Sequence, residues 1–441
     1  MNKFLFKQID NTGLSLFRII FGLLITLEAF GAIATGWVRR VLVEPEFTFN
    51  FIGFDFLQAF IGEGMYFYFA LMGVFGIFVM LGFKYRIAMF SYALLWTSVY
   101  LMQKTSYNNH YYLMVLLCWL MSFLPANKRY SLDAKLNPSF KSLSMPQWVK
   151  WAFILQVGIV FIYGSVAKWY PDWLDAIAPG LLLRSKKYYF LIGELLQQNW
   201  VHYTVAYVGI FFDLLIIPML LWKRTRILGF CLSLFFHLFN SIVFQVGIFP
   251  YMSIAFALLF FSSETIQKRF KLKKEIYQEN KIIIPTYKNI LIGIFSIYFI
   301  IQVGLPLRHW LLQDDVLWTE EGHRLSWRMM LRTKSGTLTV RVVDKKTGEK
   351  KLYDYKKLLS AKQKRSLPTK PDLMWQLAQK IKHIEIEKGN DIEVYMNSKV
   401  SVNGGPFFQF TDTKIDLANQ KWESLRHTNW LLPSPKDYHK K

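Results

Sequence analysis

Apolar residues in this chain come in long unbroken runs rather than in the short alternations of a half-buried sheet. Runs of about 18 or more have the length of a bilayer's hydrocarbon core. About nine are read along the chain, near residues 13–34, 64–83, 85–103, 109–125, 148–168, 201–222, 227–247, 248–263 and 289–306. Two interruptions stand out. Residues 43–62 are aromatic but broken by Glu44, Pro45, Glu46 and Asp55, so they are expected along the outer membrane interface. Residues 169–200 form an excursion punctuated by Pro171, Pro179 and Gly180, with a short interfacial helix expected over 187–198. After Leu305-Pro306 the long runs stop and charge rises. Residues 337–343 alternate like a strand, 344–348 read as a turn, and 350–355 as the return strand. Leu373, Leu377, Ile381 and Ile384 repeat at helical spacing behind Pro371, and 391–402 again reads as strand. The fold class is a polytopic α-helical membrane protein of about nine transmembrane helices, residues 1–306. A C-terminal α+β extracytoplasmic domain follows at 307–441.

Composition agrees: 53% of residues are apolar and 17% aromatic, too many for an ordinary soluble enzyme. The net charge of +23 could suggest nucleic acid, but its distribution points to topology. With a cytoplasmic N-terminus, the inside loops hold about 18 Lys and Arg against about 7 outside. That sets the N-terminus inside and the C-terminal domain outside, with no nucleic-acid partner. The first run is read as an anchor, being longer than a signal-peptide core and lacking a cleavage site. Cys118 and Cys231 fall within spans as small apolar fillers, so the exported domain folds without disulfides. The absence of an inverted repeat weighs against a transporter.

Polar groups inside such spans are where chemistry is expected. Lys168 closes the fifth run, where a desolvated amine loses its proton easily. His110 opens the fourth run within Tyr107-Asn108-Asn109-His110, and His237 with Asn240 and Ser241 interrupts the seventh. Each has a plainer reading. Lys168 can snorkel to headgroups. His110 can bond a backbone carbonyl, and His237 with Asn240 can be interhelical glue. Arg184 can meet a lipid phosphate. Spacing around Asn109 and His110 offers no second metal ligand, so no metal is expected.

These residues nevertheless match a known family. Lys104-Thr-Ser-Tyr-Asn-Asn-His110-Tyr-Tyr-Leu resembles the KTSxNNHxYL signature of the vitamin K-dependent γ-carboxylases. Gly164, Lys168, Asp172-Trp173 and Arg184 resemble that family's lysine segment, with one extra residue between Gly164 and Lys168. Phe236-His237, Asn240-Ser241 and Gly247-Ile-Phe are similar to its FH…NS…IGMF stretch. Further on, Trp318-Thr319, Ser326-Trp327-Arg328-Met329-Met330, Val400-Ser-Val-Asn403, Trp422 and Thr428-Asn-Trp430 also match in pattern, so the resemblance covers nearly the whole chain. The chain departs in the loop Glu320-Glu-Gly-His323-Arg-Leu. It also lacks the animal members' crosslinking cysteine and the extension that helps them hold their protein substrate.

The resemblance implies a membrane enzyme that couples oxygenation of vitamin K hydroquinone to its epoxide with carboxylation of protein glutamate. Lys168 would be the initiating base, and His110 helped by Asn109 would stabilise oxyanion character. His237 and Asn240 would shape the cofactor pocket, and Arg184 would pair with a substrate carboxylate. Oxygen and carbon dioxide would be co-substrates. The partners would be a Glu-containing protein or peptide, the lipid bilayer and a quinone. Two alternatives stay open: a quinol epoxidase without carboxylation, and a non-catalytic quinone- or lipid-binding membrane protein. The architecture suggests a bacterial inner membrane with a periplasmic C-terminal domain, where menaquinol would serve as the hydroquinone.

Overall fold

The computed structural model describes residues 2–60, 62–272, 275–279, 281–436 and 438. A short antiparallel ladder pairs β1 (Gln8–Asp10) with β2 (Ser144–Pro146) at one end of the helical bundle. The bundle is built from α1 (Thr12–Ala34), α2 (Gly64–Leu81), α3 (Tyr85–Met102), α4 (Asn109–Phe123) and α5 (Gln147–Val166). It continues with α6 (Ile177–Arg184), α7 (Asn199–Leu221), α8 (Arg226–Phe239), α9 (Phe249–Phe256) and α10 (Lys288–Leu307). Neighbours in sequence pack in pairs: α1 on α2, α2 on α3, α3 on α4, and α7 on both α5 and α8. Helix α9 returns to α1, and α10 lies against α5.

Small residues set the closest of these approaches. A side chain at Gly22 of α1 would collide with the Met80 backbone of α2. Gly73 and Gly76 of α2 likewise accept Phe30 and Thr26 of α1. Helices in an apolar surrounding gain little from burying apolar area, so close backbone packing through glycine is what joins them.

Helices stand at each of the nine expected places, yet six among the described residues are long and apolar enough to cross a membrane. These are Thr12–Ala34, Gly64–Leu81, Gln147–Val166, Asn199–Leu221, Arg226–Phe244 and Lys288–Trp310. The other three fall short for different reasons. Helix α3 carries many Tyr, Trp, Ser and Thr side chains, α4 has only 15 residues, and the apolar helix Phe249–Leu259 is shorter still. The interfacial helix expected over 187–198 is absent. Turns run through that stretch, ending in a single 3-10 turn, Leu195–Gln197.

The C-terminal unit is a four-stranded antiparallel sheet of order β4-β3-β5-β6. Its strands are β3 (Lys334–Asp344), β4 (Lys350–Leu352), β5 (Ile392–Val402) and β6 (Phe408–Gln409). Helix α11 (Pro371–Glu387) covers one face and buries Leu373, Leu377 and Ile381 against Val340, Val394 and Met396. The hairpin and helix expected from the sequence are therefore present. Part of the aromatic stretch 43–62 also meets the sheet unit. Phe47 and Phe49 join the sheet unit's core, and the Gln363 and Gln376 amides donate to the Phe47 and Asn50 carbonyls. The aromatic stretch thus fastens the two parts of the molecule at Phe47 and Phe49, while Phe54, Phe56 and Phe60 stay exposed.

Candidate active site

Lys168 sits in the turn that ends α5, one helical turn beyond Gly164. The residue is 8% exposed, and its side chain runs inward to α7. There its amine donates to the Asp213 carboxylate and, at 3.3 Å, to the Gly209 carbonyl. Gly209 and Asp213 are four residues apart and so share a face of α7. The Asp213 carboxylate also needs space from α5, which Gly164 provides: a Cβ there would lie 3.0 Å from the carboxylate oxygen. The snorkelling alternative does not describe this lysine, which points into the bundle.

Beside the pair lies a cavity of about 250 Å³. Phe161, Trp173, Phe236, Phe249 and Met329 supply much of its wall, and His110, Lys168, Asp213 and Asn240 are its chemically distinctive members. The His110 ring stacks on Phe249 with centroids 4.4 Å apart. His237 stands behind the same Phe249 at 5.8 Å, fully buried, and neither ring nitrogen has a hydrogen-bond partner among the described residues. The two imidazoles thus flank one phenyl ring, His110 at the cavity and His237 behind its wall.

The Asn-Asn-His run divides its labour. The Asn108 side chain caps α4 by accepting from the Tyr111 N–H at 2.7 Å. Asn109 accepts from the Tyr107 hydroxyl at 2.8 Å and donates to the Arg328 carbonyl at 3.0 Å. It therefore lies outside the cavity lining and holds the segment that carries Met329. Tyr107 accepts in turn from the Leu325 N–H at 2.6 Å.

The Asp172-Trp173 pair works the same way. Trp173 donates from its indole to the Ala206 carbonyl of α7 at 3.0 Å, and Asp172 accepts from the Asn403 amide of the sheet unit at 2.6 Å. Tyr170 donates to the Leu331 carbonyl. The turn holding Lys168 is thus pinned to α7 on one side and to the sheet unit on the other.

Residues 6–264 match the HTTM domain model, and residues 287–437 match the model described as vitamin K-dependent gamma-carboxylase, lumenal domain. The chain belongs to the vitamin K-dependent γ-carboxylase family. No solved structure matches it. An HTTM membrane domain together with six long apolar helices among the described residues makes this carboxylase-family chain an integral membrane protein.

Of the sequence-derived candidates in this γ-carboxylase-family chain, Lys168, His110 and Asn240 come together at one cavity. Asn109 and His237 stand immediately behind it. Arg184 is exposed at the end of α6, two residues beyond cavity-lining Leu182. Two intramembrane carboxyls escaped the sequence reading. Asp213 pairs with Lys168, and Glu28 of α1 accepts from the Tyr111 hydroxyl at 2.6 Å. The rule that marks Lys168 as unusual in an apolar run marks both of these equally.

Proposed function

We propose that this protein is a membrane γ-glutamyl carboxylase that couples quinol epoxidation to carboxylation of a glutamate side chain. The observation that carries the reading is a buried amine opening on an apolar, aromatic cavity beside an imidazole. A flat quinol ring with an isoprenoid tail fits such a lining. When bound, vitamin K hydroquinone or menaquinol supplies the reducing power and, with oxygen, the strong base that glutamate activation needs.

The chain's own residues do the rest. Lys168 accepts the quinol hydroxyl proton. His110 donates a hydrogen bond to developing negative charge, a role in which a single donor contributes on the order of 10²–10³ in rate. Asn109 acts at one remove, fixing the start of α4 and the segment that carries Met329. Asn240 and His237 shape the cavity. Arg184 would meet the substrate carboxylate near the mouth. The walls exclude water, which a strong base requires. The sheet unit presents the Glu-containing chain. In this reading the membrane is a bacterial inner membrane, with the sheet unit periplasmic.

The cavity lining itself supports a second reading. Its one cation among the described residues, Lys168, is already bonded to Asp213, so pairing with a glutamate carboxylate rests entirely on Arg184 outside the lining. That favours a quinol epoxidase acting without glutamate. Purified protein incubated with quinol, oxygen, labelled carbon dioxide and a Glu peptide decides between them. Epoxide with fixed label is the expected result. Epoxide without label moves the assignment to the epoxidase. Neither product, from folded protein and several quinols, leaves a quinone- or lipid-binding protein.

A further inference from the structure

We infer that Asp213 is a positioning residue that sets the proton occupancy of Lys168, so that the working base is an amine–carboxylate pair rather than a lone lysine. This rests on the carboxylase reading for its catalytic meaning, but the pairing itself stands on geometry. Asp213 is 5% exposed, bonds the Lys168 amine directly, and faces a space that Gly164 leaves open. Among the described residues, His110 from α4 shares the cavity with the pair, His237 from α8 packs on Phe212 beside Asp213, and Tyr170 and Asp172 follow Lys168 in the chain. None of these bonds the amine, whose partners among the described residues are Asp213 and the Gly209 carbonyl.

The charge balance explains what a carboxylate adds. With one shared proton too many for catalysis, the pair is ammonium and carboxylate, net neutral, and Lys168 cannot act as a base. Loss of that proton to water leaves an amine bonded to a carboxylate, with net charge −1. When Lys168 then takes the quinol proton, an O–H bond breaks and an N–H bond forms. The pair returns to neutral, and its negative charge passes to the oxygen that gave up the proton. One charge moves across the cavity, and no new pair of opposite charges is made in a medium where separating charge is costly. A lone lysine would have to create that pair.

Two variants test the assignment. Asp213→Asn removes the charge while keeping the shape. Gly164→Ala puts a methyl group against the carboxylate oxygen in a helix that tolerates alanine. The first readout needs no quinol: the pH dependence of Lys168 acetylation by acetic anhydride, followed by mass spectrometry. A neighbouring carboxylate favours the charged amine, so Asp213→Asn is expected to move Lys168 labelling to lower pH than in the wild-type protein. Gly164→Ala is expected to move it in the same direction by less. The second readout is the acid limb of quinol epoxidation, which is expected to move to lower pH in Asp213→Asn while the plateau rate falls. If the labelling midpoint and the acid limb stay at their wild-type positions in both variants, the role given to Asp213 is overturned. If wild-type protein forms no epoxide, the carboxylase reading fails instead, and the labelling shift still decides the pairing.

Discussion

At the scale of single residues, the site is an amine, a carboxylate and an imidazole set into hydrocarbon. Lys168→Ala is expected to abolish epoxide formation while leaving the fold intact, since removal of the amine leaves Asp213 able to take up a proton and become neutral. A quinol-consumption assay together with gel filtration checks both halves. On the proposed mechanism the imidazole would serve developing charge rather than the resting ligand, so His110→Ala is expected to lower the rate about 10²–10³-fold with little change in quinol KM. Steady-state kinetics on the purified variant would show it. Lys168 and His110 were legible in the sequence because one polar side chain in an apolar run breaks the pattern. Asp213 breaks the pattern as clearly. What a linear reading lacks is its partner, 45 positions earlier on another helix. The role of Asn109 was likewise hidden. Its hydrogen-bond partner Arg328 is 219 positions away, and no local spacing reports such a contact.

At the scale of elements, helices are positioned by close glycine contacts and by clasps at their ends. Gly22→Ala is expected to push α1 from α2 and to cost about 1–3 kcal/mol, as overpacking does. Thermal unfolding in detergent is the measurement. Asn403→Ala removes a bond between Asp172 and the sheet unit. It is expected to cost about 1.5–3 kcal/mol, the range for hydrogen bonds to charged groups. A concomitant loss of epoxidation would show that the Lys168 turn is held in part from outside the bundle. The sheet and its helix were readable because period-2 and period-3.6 patterns differ over ten or more residues. The number of crossing helices is less sharply marked, because α4 and the 249–259 helix are apolar yet shorter than the six long apolar helices among the described residues. The 187–198 stretch misled for a related reason. Tyr188, Phe190 and Leu191 look amphipathic in sequence, yet all three are strongly exposed on turns, and Leu191 adopts positive φ.

At the scale of the whole molecule, a buried charge cluster joins the sheet unit to the loop that precedes it. Glu320 bonds Arg332, with the Arg332 Nε at 3.0 Å, and has the Lys334 amine at 3.7 Å. Burial opposes ionisation of Glu320, but Arg332 and Lys334 outweigh it and hold its pKa well below the usual carboxylate range. Burial pushes the Lys334 amine down to about 7 and Lys370 to about 8, Glu320 offsetting only part of that. The signs give a pH profile. Between about pH 7 and about 10.4 the unfolded chain holds lysine protons that the folded one does not, so stability rises with pH across that window. Glu320 works at the other end. Its contribution is present above about pH 4.3 and is lost as pH falls through its depressed folded value. Glu320→Gln leaves the surrounding cations unbalanced and is expected to cost about 3–5 kcal/mol. Denaturation followed from pH 5 to pH 9 tests the mutation and the rising limb together.

The stretch covering the cavity has a further consequence. Leu325, Trp327 and Met330 all take left-handed backbone conformations, and the stretch is stitched to Tyr107, Asn109 and Tyr170. A ceiling nailed down at so many points is a poor doorway from water. The sides differ: Val208 of α7 and Phe235 of α8 line the cavity and are also open to the exterior of the bundle. A greasy ring would slip in sideways from the bilayer, between α7 and α8, and never pass through the ceiling at all.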